Sequence, residues 1–218
     1  MVSGVQQLPR YQQAVDGLVL PAPVATQPAL DFCNTLAGWN GEPRHEYLES
    51  FDHLVAWTRD RGLADETSAA ELRQAAERNP AAARRALERA RSLRRSLYAA
   101  CTDPADDASW EAVGREARAA AVHAVLHRDG PPGQRWSIAA EAGLVRPVLE
   151  IAREAGALLA TIDLRQVKAC PGTGCGWLFL DPRGRRRWCT MAVCGNRAKA
   201  RRHVQRARTP RPDDPPGA

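Results

Sequence analysis

Four of the six cysteines lie close together near the C-terminus, in the pattern C-x4-C-x13-C-x4-C formed by Cys170, Cys175, Cys189 and Cys194. Two short pairs with a spacer of about a dozen residues suit a tetrahedral zinc site, because each pair closes a tight turn and the spacer brings the turns together. Two disulfides, a redox site and an iron–sulfur site are the alternatives. Disulfides are disfavoured in a chain that we expect to be cytoplasmic. We therefore predict one structural Zn²⁺ per chain, held by the four thiolates.

The residues around the cysteines favour a small fold that depends on metal. The first turn, residues 170–175, contains two glycines and a proline, which permit tight bends. The spacer, residues 176–188, is predicted to form a β-hairpin that turns at residues 181–184. A unit of fewer than about 40 residues rarely has a sufficient core without metal or disulfides, so the zinc site is expected to hold this one together.

The same end of the chain is strongly basic. Between Arg165 and Arg211 thirteen side chains are Arg or Lys and one, Asp181, is acidic, which gives a formal charge of +12. The remaining residues carry 18 basic and 24 acidic side chains, a charge of −6. This asymmetry favours a polyanionic partner for the C-terminal end.

A highly charged helix is predicted after the last cysteine, over residues 195–208. Its narrow apolar side consists of Ala200, Val204 and Ala207, and we expect this side to pack on the zinc unit. The other positions are basic or polar, which suits a phosphate-lined groove. We predict that this helix contacts phosphates or base edges through Arg197, Lys199, Arg201, Arg202 and Arg206. The spacer is predicted to add contacts to the DNA backbone through Arg185, Arg186 and Arg187.

The preceding part of the chain has the apolar spacing of a mostly helical domain. Helices are predicted over about residues 47–61, 81–101, 109–118 and 145–160, with another from Ser68 to just before Pro80. The arginines of helix 81–101, Arg94 among them, are expected on its solvated face. A β-hairpin is predicted to join residues 121–127 to 135–138.

These features divide the chain into four segments. Residues 1–28 are predicted to be an irregular lead-in and residues 29–162 the first domain. Residues 163–208 are predicted to form the zinc module and residues 209–218 a disordered tail. The fold class is α+β, with a mostly helical N-terminal domain that contains a β-hairpin and a small treble-clef-like zinc-binding module at the C-terminus.

No set of residues in the sequence is typical of a catalytic site. His123 and His127 have the i, i+4 spacing of a zinc-protease helix, but Ala124 stands where that motif needs a general-base glutamate. Cys33 and Cys101 are isolated in apolar surroundings, which is typical of small buried side chains. We therefore expect no catalytic residues and no enzymatic activity.

The residues around the last two cysteines resemble the CGNR zinc finger, named for its Cys-Gly-Asn-Arg signature. The stretch WCTMAVCGNRAK, residues 188–199, and the following Arg201-Arg202-His203 carry this resemblance. The first domain resembles the ABATE domain that usually precedes the finger, most visibly in ALDFCNT, residues 29–35. The resemblance implies a bacterial DNA-binding transcription regulator connected with stress, in which the four cysteines are the zinc ligands.

We therefore predict a zinc-dependent regulator whose basic module contacts duplex DNA and whose first domain senses a small-molecule effector or forms a homodimer. RNA binding, with Trp177 or Trp188 stacked on bases, and a zinc-stabilised protein-interaction module are the alternatives. No run approaches the roughly 18 apolar residues of a membrane span, and the N-terminus has no secretion signal. We expect a cytoplasmic protein with no membrane partner, which joins the nucleoid when bound to DNA.

Overall fold

Helices dominate this computed structural model, which describes residues 8–128 and 134–208, with side chains up to residue 205. The helices are α1 (Pro28–Cys33), α2 (Phe51–Asp60), α3 (Glu66–Arg78), α4 (Pro80–Thr102), α5 (Asp107–Val122), α6 (Arg146–Thr161) and α7 (Asn196–Arg208). The predicted turn at 129–133 and tail at 209–218 lie outside the described residues. No described helix is long and apolar enough to cross a membrane.

The described strands pair two by two as antiparallel hairpins, with no larger sheet among them. They are β1 (Gln12–Val15) with β2 (Leu18–Pro21), β3 (Leu36–Ala37) with β4 (His45–Glu46), β5 (Ala124–Arg128) with β6 (Gln134–Ile138), and β7 (Val167–Ala169) with β8 (Leu178–Leu180). A mostly helical α+β fold is confirmed, including the predicted β5–β6 hairpin.

The irregular lead-in predicted for residues 1–28 is wrong where the structure describes it. β1 and β2 form a hairpin there, joined by Asp16 and Gly17, which both have positive φ angles. Asp-Gly is a preferred central pair for a two-residue hairpin turn because both positions need this left-handed backbone. Leu20 of β2 is fully buried and joins the hydrophobic core.

Side-chain caps fix where several helices begin. Ser50 accepts a hydrogen bond from the backbone of His53, so α2 starts at Phe51, later than predicted. Asp65 caps α3 by accepting from the Ser68 backbone N–H, and the predicted start at Ser68 is therefore wrong. The carboxylate is the better acceptor for the free N–H groups of a first turn.

The core surrounds the short helix α1, which contacts both α4 and α6. Its Leu30 and Phe32 are fully buried, and the Phe32 ring lies 5.4 Å from the Trp57 ring of α2. Cys33 and Cys101 are also buried, as predicted. Burial raises the pKa of both thiols, that of Cys101 to about 12, so neither is a reactive thiolate at neutral pH.

The Arg94 side chain points into the protein, which corrects its predicted place on the solvated face of α4. It is 2% exposed, donates to the Thr35 hydroxyl at 2.9 Å and forms a two-point ion pair with the Glu46 carboxylate. A paired carboxylate offsets the cost of burying a guanidinium, and helical spacing alone does not reveal that partner. Arg94 thus ties α4 to the segment that precedes α2.

This ion pair gives an asymmetric prediction for stability. Glu46→Gln should lower the free energy of unfolding by about 3 kcal/mol, because it leaves a buried guanidinium without a counter-charge. Arg94→Met should cost less, about 2 kcal/mol, since Glu46 is partly exposed and also lies 3.7 Å from Arg91. Urea denaturation measures both, and exposed Arg84→Ala is the control. Equal losses for the two variants would contradict this account.

Candidate metal centre and nucleic-acid surface

The four predicted cysteine ligands meet in one buried cluster. The Sγ atoms of Cys170, Cys175, Cys189 and Cys194 all lie within 4.8 Å of one another. Two of the separations, Cys175 to Cys189 and Cys189 to Cys194, are 3.7 Å. A tetrahedral zinc ion with Zn–S bonds near 2.3 Å needs sulfurs about 3.8 Å apart. The donor atoms, their number and their spacing therefore fit a closed Zn²⁺ site.

The protonation of the cluster also favours a cation. Hydrogen bonds from the thiols of Cys175, Cys189 and Cys194 lower the pKa of Cys170. The pKa of Cys189 is raised, chiefly because its thiol donates to Cys170. The pKa of Cys194 is lowered as well, and a divalent cation at the centre would replace the thiol protons and allow all four sulfurs to ionise.

The first cysteine pair lies in the bend of the β7–β8 hairpin. The backbone N–H of Cys170 donates to Trp177 at 2.8 Å, and that of Cys175 donates to Gly172 at 2.9 Å. We call this bend, residues 170–176, the knuckle loop. A Cβ atom at Gly172 would lie 3.1 Å from the Cys194 sulfur, so glycine leaves the room that the fourth ligand needs.

The hairpin predicted inside the spacer is therefore misplaced. Residues 181–184 do form a turn, with Gly184 N–H donating to Asp181, but no returning strand follows. The Asp181 carboxylate instead accepts the backbone N–H groups of Arg185 and Arg186. A side chain thus satisfies the donors that a second strand would have paired.

A π-helical turn, Met191–Gly195, carries the last cysteine into α7. A Cβ atom at Gly195 would lie 2.6 Å from the Met191 sulfur and 3.3 Å from the Trp188 ring. Glycine in the Cys-Gly-Asn-Arg sequence thus leaves room for the Trp188 ring and for the end of the Met191 side chain, which is 53% exposed. Asn196 closes the turn by donating to the Ala192 carbonyl.

Side chains of the described residues up to 162, which we call the body, hold the knuckle loop and β8. The Asn34 amide donates to the Leu178 carbonyl at 2.9 Å and accepts the Leu178 N–H at 2.7 Å. Asn40 donates to two knuckle-loop carbonyls, and the Tyr98 hydroxyl donates to Gly176. The Trp39 backbone donates to Cys175. The sequence did not predict these contacts. The one signal for them was the ALDFCNT motif, which contains Asn34.

The polar residues of that motif each have a structural task. Asp31 is buried and accepts the backbone N–H groups of Val24 and Ala25, which fixes the chain leading into α1. Burial raises its pKa. Asn34 holds β8, and Thr35 accepts from Arg94. The motif therefore joins the N-terminal strands, the core and the C-terminal module.

Arg186, one of the predicted DNA contacts, points inward. Its guanidinium donates to the carbonyls of Leu180, Val24 and Cys189 and lies 4.6 Å from the centre of the Phe179 ring. Three carbonyl acceptors and a ring face occupy this cation, so it is not free for a phosphate. Arg186 therefore packs against the module and does not join the surface predicted to contact DNA.

The other predicted cations with described side chains are exposed, and the side chain of Arg206 lies outside the described part. Those exposed are Arg185, Arg187, Arg197, Lys199, Arg201 and Arg202. Arg187, Arg201 and Arg202 line one groove of about 280 Å³ together with Trp188 and the start of the knuckle loop. We call it the arginine groove. None of its three arginines has an acidic partner among the described residues.

The side of α7 that faces the metal site differs from the prediction. Ala198 is half-buried beside the arginine groove, whereas Ala200 is exposed and Val204 is 49% exposed. Ala207 lies outside the described side chains. The π-helical turn before α7 determines how α7 is rotated about its own axis. The spacing of alanines in the sequence does not indicate that such a turn is present.

Fold and site together define a class of protein, in which an α+β body holds a four-cysteine zinc finger that ends in a basic helix. Two family models match the chain: residues 166–207 match the CGNR zinc finger, and residues 26–162 match ABATE, described as "Putative stress-induced transcription regulator". The chain belongs to the ABATE family and carries a CGNR zinc finger. No curated protein matches it.

The Asn34 contact predicts how firmly the finger is attached. Asn34→Ala should lower the free energy of unfolding by about 3 kcal/mol, because it leaves the fully buried Leu178 N–H and carbonyl without these partners. Asn196→Ala, which removes an exposed hydrogen bond of 3.3 Å, should cost less than about 1 kcal/mol. Urea titration of both variants measures the difference, and a small loss for Asn34→Ala would show that other contacts hold the finger.

The metal site gives a second prediction. Purified protein should contain about one zinc per chain, and Cys189→Ser should release it and unfold the C-terminal module while most helical signal remains. Cys101→Ser, outside the cluster, should keep its zinc. Elemental analysis and circular dichroism measure metal and helix. Wild-type protein without zinc, or a Cys189→Ser variant that retains it, would contradict the assignment.

Proposed function

We propose that this protein is a zinc-dependent transcription regulator that binds duplex DNA through the finger. The observation that carries this proposal is the arginine groove, where Arg187, Arg201 and Arg202 meet with no acidic residue in the lining. A guanidinium binds phosphate at two points, and three of them in one groove attract a polyanion more strongly than isolated surface cations do. In this arrangement the arginine groove of the protein contacts phosphates, and α7 lies against the major groove of the duplex.

The outward face of α7 supports base contacts as well as phosphate contacts. Ala200 and Val204 are exposed there, and Arg197, a predicted DNA contact, lies on the same face three residues before Ala200. Small apolar side chains contact thymine methyl groups, and arginine binds guanine edges. A helix of 13 residues is about 20 Å long, enough to cross the major groove. The mixed face therefore suits reading of sequence, which a purely cationic face would not.

Two observations favour duplex DNA over single-stranded RNA. Trp177, a predicted stacking residue, is 4% exposed and donates its indole N–H to the Leu36 carbonyl. Trp188 is half-buried, and the Arg187 guanidinium lies 5.3 Å from the centre of its ring. Stacking on bases needs open ring faces, and neither tryptophan offers one freely.

We also propose that the protein is not an enzyme. Two described contacts resemble a nucleophile with its base. His127 lies 2.7 Å from the Ser137 hydroxyl, but Ser137 is 4% exposed and out of reach of a substrate. His53 lies 2.9 Å from the Ser50 hydroxyl, which is the N-cap of α2 and accepts the His53 backbone N–H. His123 ends α5 and does not share a strand or helix with His127.

A homodimer accompanies the proposed function, because one small module buries only about 600–1,000 Å² on DNA.

A salt titration tests DNA binding. With about three phosphate contacts per chain, log K should fall with log salt at a slope near −3. Arg201→Ala should reduce that slope by about one if Arg201 touches phosphate, and weaken all sequences alike. If it binds a guanine edge, the loss should be about 1–3 kcal/mol and confined to the preferred site.

The matched control is Arg84→Ala, an exposed arginine near the other end of α4, about 20 Å along the helix from Tyr98 and the finger. It should leave slope and affinity unchanged on both a preferred and a scrambled duplex. Equal slopes for wild type, Arg201→Ala and Arg84→Ala would mean that α7 does not contact DNA. The protein-interaction module would then replace this proposal.

A further inference from the structure

A cavity of about 310 Å³ lies between the body and the zinc finger, lined in part by Cys175, Cys189 and Cys194. Tyr11 and Tyr47 line it from the body, the knuckle loop and Trp177 line it from the finger, and Arg197 in the first turn of α7 stands at one side. The volume is at the lower end of the range for small-molecule sites. A ligand held here would touch both parts of the protein at once.

Three aromatic rings give the cavity its apolar surface. The Tyr47 and Tyr11 rings lie 6.4 Å and 6.5 Å from the Trp177 ring, and Tyr47 and Trp177 are almost fully buried. Hydrogen bonds from Gln12 to Tyr47 and from Trp177 to the Leu36 carbonyl hold two of these rings in place. Fixed aromatic walls suit a small flat ring, because such pairs gain contact without further ordering of the protein.

Among the polar groups that line the cavity, two matter for a ligand because no described residue accepts their protons. The Tyr47 hydroxyl accepts from Gln12 at 3.3 Å, and no described residue accepts its own proton. Arg197 has no hydrogen bond or ion pair with any described residue. A carboxylate on an aromatic ligand would offer acceptors to donors of this kind, and both residues line the same cavity.

The metal centre limits the charge that the ligand can carry. Three of the cysteines line the cavity, and four thiolates around Zn²⁺ carry a net charge of −2. Glu42 adds a carboxylate to the lining, and its counter-ion Arg44 is 3.9 Å away. A negative group deep in the cavity is repelled, so the carboxylate must lie at Arg197 with the ring directed inward. A second negative charge on the ligand would oppose binding.

We propose that this cavity binds a small aromatic monocarboxylate, and that the ligand and DNA compete for Arg197. The competition rests on the proposed function, in which Arg197 is one of the cations near DNA, whereas the binding of the ligand does not. Occupancy of the cavity would withdraw one cation from the DNA-facing surface and so weaken DNA binding. The effector site then lies at the junction of body and finger.

Calorimetry on the zinc-loaded full chain tests the ligand site. Benzoate, phenylacetate and indole-3-acetate are the probes, and at least one should bind with a dissociation constant of about 1 mM or lower. The neutral isostere benzamide should bind at least about tenfold more weakly than benzoate, and the dianion phthalate should also be weaker. Failure of all three probes, or equal binding of benzoate and benzamide, would overturn the proposal.

Two variants locate the ligand. Arg197→Met should weaken the bound carboxylate at least about tenfold, and Tyr47→Phe, which keeps the ring and removes the donor, about threefold. Arg84→Ala should bind as wild type does. Unchanged zinc content and thermal midpoint show that Arg197→Met is folded, as expected for an exposed side chain without partners. If folded Arg197→Met binds the carboxylate with wild-type affinity, the ligand lies elsewhere and the proposed site is wrong.

A DNA titration with and without the bound carboxylate tests the competition. Saturating ligand should lower the affinity of wild-type protein for DNA and reduce the salt slope by about one, with no such change in Arg197→Met. Unchanged DNA affinity would overturn the competition and leave the ligand site standing. A protein that binds no DNA would refute the proposed function, and calorimetry would still decide the ligand site.

Discussion

Four sulfur atoms within 4.8 Å of one another cannot all be negatively charged unless a cation lies among them. This constraint determines the form of the C-terminal zinc module. The first pair of sulfurs requires the tight knuckle loop, where Gly172 leaves room for the Cys194 ligand. The second pair requires the π-helical turn that ends at Gly195, and that turn sets the direction of α7. The exposed basic surface is thus oriented by the geometry of the metal site.

The body also holds the zinc module in shape, through side chains that do not touch the metal site. A knuckle loop this short has too little secondary structure to pair its own backbone groups, and buried groups without partners are costly. Asn34 takes the place of a neighbouring strand beside Leu178, and Asn40 satisfies two carbonyls next to Cys170. The ALDFCNT motif is therefore understood as a joint, in which each polar side chain fixes a different segment of backbone.

The sequence predicted features whose cause is local and missed those whose cause is distant. The cysteine pairs, the longer helices and the β5–β6 hairpin follow from spacing within a short stretch. Arg94 and Arg186 looked like ordinary surface cations, because their acceptors, Glu46 and the Val24 carbonyl, lie far away in sequence. The direction of α7 depended on one π-helical turn, which a 3.6-residue periodicity does not detect. The N-terminal hairpin had a local signal, Asp16-Gly17, that proline-rich surroundings obscured.

The joint between body and finger limits the modularity of the zinc finger. Many small metal-bound units can be moved between proteins because their exposed backbone pairs with water. Here, excision would leave the Leu178 backbone and the carbonyls of Cys170 and Gly172 without the side-chain donors and acceptors that Asn34 and Asn40 provide. A host that received this finger would need an equivalent pair of amides at matching positions. The finger thus depends for these buried hydrogen bonds on the body, and transfer of the finger alone to another protein should destabilise it.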